Sequence, residues 1–284
     1  MRKLLFTLFL TGTLSALQAQ VRPFMTEEPF TLTKQARQGA ACYKNLLFQF
    51  HNANPLVEIF DLKEQKRIYQ IELEPEPVIH CNNANFGSVK YDKKDPFPLL
   101  YVSSERDQRI ITYRVTHEAG KYGLQKVQTI FLPNSDEASY YYTNLIIDSK
   151  QNKLWITGYT RHSWNKPDGG NQLRYVQFDL PKVSDGDVVL DYKNCISEFR
   201  LPFRIATQGA VFHKGKICQA FGCNQKDTNF IIVNPKTGHI EKEYSIGGAG
   251  IKEEPEGTFV FKNKLMVVTC VPGNIYYVSD FVEK

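Results

Sequence analysis

Apolar residues in this chain fall in short runs, many alternating with polar ones, and Gly, Pro, Asn or Asp ends each run within a few positions. Nowhere do they recur at the three-and-four spacing of a long amphipathic helix, so the pattern predicts short strands throughout. The runs also repeat. Residues 38–48 (QGAACYKNLLF), 208–218 (QGAVFHKGKIC) and 256–266 (EGTFVFKNKLM) align without gaps. Each opens on a polar residue and a glycine, passes through an apolar strand, and turns at Lys-Asn or Lys-Gly. Asn and Gly tolerate the positive φ that a tight hairpin requires.

The segments after these hairpins recur as well. Residues 59–63 (IFDLK), 176–182 (VQFDLPK) and 232–236 (IVNPK) each end a strand at Asp or Asn and enter a turn, after which a further strand such as 67–71 (RIYQI) begins. The unit is four short strands. Two more divergent units fit between the clear ones, one from His80 to Arg114 and one from Tyr142 to Asp179. Units starting near residues 38, 80, 142, 208 and 256 predict an all-β, five-bladed β-propeller. A β-sandwich is the competing fold, but sandwiches lack a repeat of roughly 40–50 residues. The fifth unit supplies only three strands, ending at 275–278 (IYYV). Its outer strand is expected from the N-terminal segment 29–32 (PFTL), which would join the two ends of the chain in one blade.

Composition narrows the setting. An apolar content of 42% with 13% aromatics marks a folded chain, and a mean hydropathy of -0.37 excludes a polytopic membrane protein. The net charge of +5 is spread without a basic run in sequence, which argues against a nucleic-acid partner. Arg2 and Lys3, the apolar run 4–10 and Ser15-Ala16-Leu17-Gln18-Ala19 predict a signal peptide over 1–19, leaving one propeller domain over 20–284. That apolar run is far short of the ~20 residues of a spanning helix. The protein is therefore expected outside the cytoplasm, in a periplasm or beyond the cell. Cys42, Cys81, Cys195, Cys218, Cys223 and Cys270 form an even set, so disulfides are permitted, with Cys218 and Cys223 the best candidate pair. Buried free thiols are the preferred reading, because several lie in apolar strands.

In a propeller the second-to-third connections and the inter-blade connections share one face around the channel mouth. The sequence places polar residues there, which makes Gln38, His51, His80, Asn82, Asn83, Glu105, Arg106, Tyr142, Arg161, Trp164, Gln208 and Glu256 the candidate ligand-binding set. The long segment 158–172 is expected to form a flap, with Trp164 offering a flat apolar face and Arg161 a forked donor. Gln38, Gln208 and Glu256 share one repeated position before glycine, and an architectural task there competes with binding. The acidic stretch 253–256 reads as a solvated inter-blade loop. Glu256 and His80 are the acid–base candidates if the mouth is catalytic. No elbow, metal-ligand or phosphate-loop motif is present, so no metal and no cofactor is implied.

Residues 38–62, and more weakly 208–238, carry a Gln-Gly start, a short apolar run reaching an aromatic (Tyr43, Phe212), a hairpin and a strand ending in Asp-Leu or Asn-Pro. This resembles the secreted five-bladed propellers of the bacterial and plant glutamine cyclotransferase type. The leader and general style are similar to exported proteins of Bacteroides-type bacteria. The resemblance implies cyclotransferase-like chemistry at the channel mouth, and the enzymatic alternative is a hydrolase or transferase acting there on a glycan or peptide. The residues alone imply a small molecule, glycan or protein bound there, with no catalysis established.

Overall fold

The computed structural model describes residues 21–26, 37–51, 56–73, 80–104, 108–132, 141–223, 226–271 and 273–284. The expected signal peptide lies outside the described residues. Among the described residues no helix is long and apolar enough to cross a membrane.

Five sheets, each antiparallel through its blade strands, form a five-bladed propeller. From the axis outward, blade 1 is Arg37–Tyr43, Leu46–His51, Leu56–Asp61 and Lys66–Glu72, and blade 2 is Ala84–Phe86, Leu100–Ser104, Arg109–Glu118 and Lys121–Phe131. Blade 3 is Tyr141–Asp148, Lys153–Tyr159, Gln172–Asp179 and Ser197–Pro202. Blade 4 is Thr207–His213, Lys216–Cys223, Lys226–Val233 and Ile240–Ser245, and blade 5 is Pro255–Phe261, Lys264–Thr269 and Asn274–Tyr277.

The apolar runs reflect blade packing. Successive side chains of a strand point to opposite faces, and here both faces are covered by neighbouring blades. Phe48 and Ile59 enter a core shared with Val102 and Ile111 of blade 2, while their chain neighbours Leu47 and Phe60 enter the core shared with Phe259 and Met266 of blade 5. Such two-sided burial turns alternation into near-continuous apolar sequence, and each filled position contributes about 1.5–3 kcal/mol. Five cores result, one per blade interface.

Closure uses the N-terminus, but through a different segment from the one expected. Met25–Thr26 pairs antiparallel with Ile275 and Asn274 as the outer strand of blade 5; residues 29–32 lie outside the described residues. Aromatic packing selects that segment: Phe24 sits 5.3 Å from Tyr277 and 6.0 Å from Phe261 between ring centroids, and its N–H donates to the Ile275 carbonyl at 2.7 Å. Two further strands lie outside the four-strand pattern. Val188–Val189, in the excursion after the third strand of blade 3, runs parallel to the edge of blade 2, and Val282–Glu283 pairs with the edge of blade 4. Both cover edges that would otherwise expose unpaired backbone.

Near the axis the inner strands approach too closely for a side chain. A Cβ on Gly209 would lie 2.4 Å from the Thr258 nitrogen, and one on Gly39 would lie 2.7 Å from the Asn83 Cα. The glycine of the repeated motif is thus a requirement of blade-to-blade contact. Asn83, fully buried, crosses the axis: its amide donates to the Leu145 carbonyl of blade 3 and the Ala210 carbonyl of blade 4, each at 2.6 Å. Asn85 and Asn144 add similar links to Ala210 and Gln208.

All six cysteines are free. Cys218 and Cys223 sit on one strand, five residues apart, which separates them by roughly 16 Å and forbids a disulfide. Cys218 is a buried hydrophobe, as the strand pattern suggested, whereas Cys42 and Cys270 are only half-buried; Cys81, outside any strand, is buried as well.

Candidate functional site

The mouth of the channel is built from the first residues of the inner strands. In blades 1, 3, 4 and 5 the register of the inner strand slips there: between Arg37 and Ala40, Tyr141 and Asn144, Thr207 and Ala210, and Pro255 and Gly257. A bulge re-aims the side chain it contains. Gln38, Tyr142, Gln208 and Glu256 all fall within such a bulge, so the repeated polar-glycine motif is at once an axial close-packing device and a way of presenting a polar group at the mouth.

A cleft of about 220 Å³ opens there, lined by Gln38, His80, Asn82, Tyr142, Trp164, Ala206, Thr207, Gln208, Cys223 and Glu254. His80, Tyr142 and Ala206 each hold a positive φ, at 61°, 57° and 44°. Left-handed backbone costs an L-residue with a Cβ roughly 1–2 kcal/mol, and such outliers concentrate where a site is being shaped. Three of the positive-φ residues other than glycine fall in this one cleft.

The cleft is rich in acceptors. Gln208 donates its amide N–H groups to Glu254 Oε1 at 2.9 Å and to the Gly222 carbonyl at 3.2 Å. That fixes its orientation and leaves its Oε1 buried with no donor among the described residues. Gln38 Oε1 is buried in the same condition. Glu256 stands behind this wall, 2% exposed, beside three thiols. Burial, with the neighbouring Glu254 carboxylate, pushes the Cys223 thiol up to about 12. Burial and the two carboxylates raise Cys270 likewise, and burial raises Cys81. The raised thiols favour the protonated form, in which Cys223 and Cys270 donate weakly to Glu254 and Glu256, while Cys81 donates to the Asn83 carbonyl.

An aromatic wall faces the acceptors. Tyr142 stacks on His162 at 5.4 Å and meets Tyr159 edge-on at 6.1 Å. Tyr159 OH donates to the Arg204 carbonyl and accepts from Thr207 N–H, which fixes the connection carrying Ala206 and Thr207. The segment expected as a flap does reach the mouth, and it is internally tied. Asn171 accepts from Arg161 N–H through its Oδ1 and donates to the Ser163 carbonyl at 2.6 Å. The Trp164 carbonyl accepts from Ala206 N–H, and the indole packs half-buried against the core between blades 3 and 4.

Of the residues singled out from sequence, Gln38, His80, Asn82, Tyr142, Trp164 and Gln208 line one cleft, and Glu256 stands directly behind it. Arg161 lies over Gly169, outside the lining. His51 is buried elsewhere in blade 1, its Nε2 2.8 Å from Glu58, whose other oxygen accepts from Arg67 at 2.8 Å. Asn83 is spent on the axis. Glu105 and Arg106 lie outside the described residues. The stretch 253–256 is not the solvated loop its charge suggested. Glu253 accepts from Asn274 and Tyr276, Glu254 lines the cleft, and Glu256 is buried. Glu254 and Cys223 belong to the cleft, although the sequence offered them only as part of an acidic loop and as half of a disulfide pair; the signal available was their position beside strand ends next to the repeated Gln-Gly bulge.

No protein-family model and no curated protein sequence matches the chain. Among solved structures it is similar to the glutaminyl cyclase of Myxococcus xanthus, at 11% identity over 85% of this chain and 88% of that one, with a TM-score of 0.51. Weaker likenesses include the hydrazine synthase of Kuenenia stuttgartiensis (13% identity, 82% and 61% covered, TM-score 0.42) and a nidogen/laminin complex (9%, 87% and 82%, 0.45). The likeness to the cyclase is one of propeller fold.

Proposed function

We propose that the mouth cleft binds a small molecule or chain end that carries a protonated amine beside a flat apolar group. One observation carries the reading: Gln38 and Gln208, each with a buried amide oxygen that has no donor among the described residues, line the same cleft as the Glu254 carboxylate, with Trp164 and Tyr142 beside them. An ammonium supplies three donors to such a set, and aromatic faces favour a cation beside them. At about 220 Å³ the cleft suits something of amino-acid or single-sugar size. The leader expected from the sequence puts this binding outside the cytoplasm.

A second reading is supported by the same acceptors and by the likeness in fold to a glutaminyl cyclase. The end of a peptide carries the required ammonium, and an N-terminal glutamine held there by Glu254 would cyclise with loss of ammonia. His80 and Glu256 are then the candidates for moving the proton.

Calorimetric titration with primary amines and N-terminal peptides, each paired with its N-acetylated analogue, tests the binding. Loss of a charge-assisted bond costs about 1.5–3 kcal/mol, so Glu254→Gln is expected to weaken an amine at least tenfold while leaving the acetylated analogue unchanged. Equal affinity for amine and acetylated forms would defeat the ammonium reading. Absence of ammonia release from bound N-terminal glutamine peptides would remove the cyclase reading and leave the binding one standing.

A further inference from the structure

The face opposite the mouth carries the first-to-second and third-to-fourth strand turns of the blades. In the four inner turns described at 43–46, 148–153, 213–216 and 261–264 there are seven lysines and one carboxylate, Asp148. Asp148 is occupied in capping Lys150 and Gln151 N–H groups. In blade 2 the equivalent connection, 87–99, adds Lys90, Lys93 and Lys94 against Asp92 and Asp95, of which Asp95 is already paired with Arg114. None of the face's turns contains an arginine, although arginines are frequent elsewhere in the chain.

Local structure does not call for these lysines. Lys44, Lys214 and Lys262 sit at φ of 57°, 49° and 47°, a conformation that favours Gly, Asn or Asp. The turn would be more stable with a different residue, and the same choice recurs in three blades. The side chains of Lys44, Lys150, Lys214 and Lys262 are exposed, and none forms an ion pair among the described residues.

Clefts open between these turns. One of about 760 Å³ between blades 3 and 4 has Lys214 and Lys236 at its lip and Phe199 and Phe212 in its wall; its two carboxylates, Asp148 and Glu198, are engaged by backbone N–H groups and by Arg174 and Arg200. Another of about 270 Å³ between blades 5 and 1 has Lys63, Lys262 and Lys264 around Phe24 and Tyr277. A third of about 410 Å³ between blades 2 and 3 has Lys90 and Lys182 beside Val89 and Tyr91. The pattern is cationic lips over partly apolar, sugar-sized recesses, repeated around a ring.

We infer that this face binds a linear acidic polysaccharide, laid from turn to turn with individual sugar units seated in the inter-blade clefts. Lysine is a compact point charge that reads charge density along a polymer, whereas arginine's fork suits bidentate recognition of one carboxylate or phosphate. A bilayer surface cannot enter the recesses, and a rigid duplex cannot follow a ring of turns. A flexible carboxylated or sulfated chain does both. The site is separate from the mouth cleft and does not depend on what that cleft binds.

The test compares wild type with the quadruple variant Lys44→Ser, Lys150→Ser, Lys214→Ser and Lys262→Ser. A charge-matched control replaces the exposed Lys126, Lys166, Lys242 and Lys252, which lie away from these turns, by Ser. Binding to polygalacturonate and to dextran sulfate is measured as a function of salt. Counterion release makes affinity fall with salt in proportion to the charges neutralised, by roughly 0.7–0.9 in the log–log slope per contact. At that slope per contact, the far-face variant should bind at least about tenfold more weakly at low salt, with its slope shallower by about three, and the control should stay within about twofold. The double variant Lys44→Ser and Lys214→Ser should show about half the change in slope, which guards against misfolding of the quadruple one. An equal loss in the control, or no binding of either polymer by wild type, would overturn the inference. So would tighter binding of phosphatidylglycerol vesicles or duplex DNA through the same lysines.

Discussion

Asn83 is the residue where binding and architecture make opposite predictions. Its amide donates to carbonyls of blades 3 and 4, while its own backbone N–H donates to Ser103 Oγ in blade 2, so three blades meet in one side chain and its peptide unit. Asn83→Ala removes two neutral hydrogen bonds worth about 0.5–1.5 kcal/mol each and leaves buried carbonyls behind. Asn85 still donates to the Ala210 carbonyl at 3.0 Å, so the unrelieved penalty falls on Leu145. The expected loss is about 2–3 kcal/mol, with a further contribution from the small cavity. Asn83→Asp is the sharper version. It replaces the donor with oxygens facing two carbonyl oxygens, so its stability should drop further as pH rises through the ordinary carboxyl range. The assay is urea unfolding of both variants against wild type across acid to neutral pH, followed by tryptophan fluorescence. A change below about 0.5 kcal/mol for Asn83→Ala, or a loss of mouth ligand with stability intact, would refute the axial-pin argument.

The same geometry yields three other expected outcomes. A chain lacking residues up to 26 loses the strand pairing with Ile275 and the Phe24 packing, and should unfold at clearly lower urea than one beginning at residue 21; equal midpoints would remove Met25–Thr26 from the closure. Gly209→Ala drives a Cβ into the Thr258, Gly257 and Glu256 backbone and should cost about 3 kcal/mol or more, whereas Gly215→Ala meets nothing within 4 Å and should cost about 1 kcal/mol for its positive φ; similar losses in the two would contradict the crowding. Burial alone would raise the Glu198 carboxyl, but hydrogen bonds from Arg174, Tyr192 and Arg200 hold it at about 2. Its contribution is therefore present above the ordinary glutamate range and is lost as pH falls from there toward 2, so Glu198→Gln should flatten that part of the acid-unfolding curve.

How much of this was legible in the sequence depends on whether a feature is local or repeated. The strands, their hairpins and the five-unit repeat are written in short apolar runs and turn residues, because a blade is built from neighbours in the chain and its period survives divergence. The cluster of Gln38, His80, Asn82, Tyr142 and Gln208 was also accessible, since a propeller carries the starts of its inner strands to one end of the axis. Tertiary structure alone decided the rest. That Asn83 serves the axis while Asn82, its neighbour, reaches the cleft depends on which way each side chain leaves an irregular strand start. That His51 is consumed by Glu58, and that Glu254 faces the ligand space while Glu253 does not, depends on partners distant in sequence. The closing strand fell at Met25 because Phe24 finds two aromatic rings from the other end of the chain. Composition describes neighbours along the chain, and these outcomes are set by neighbours across it.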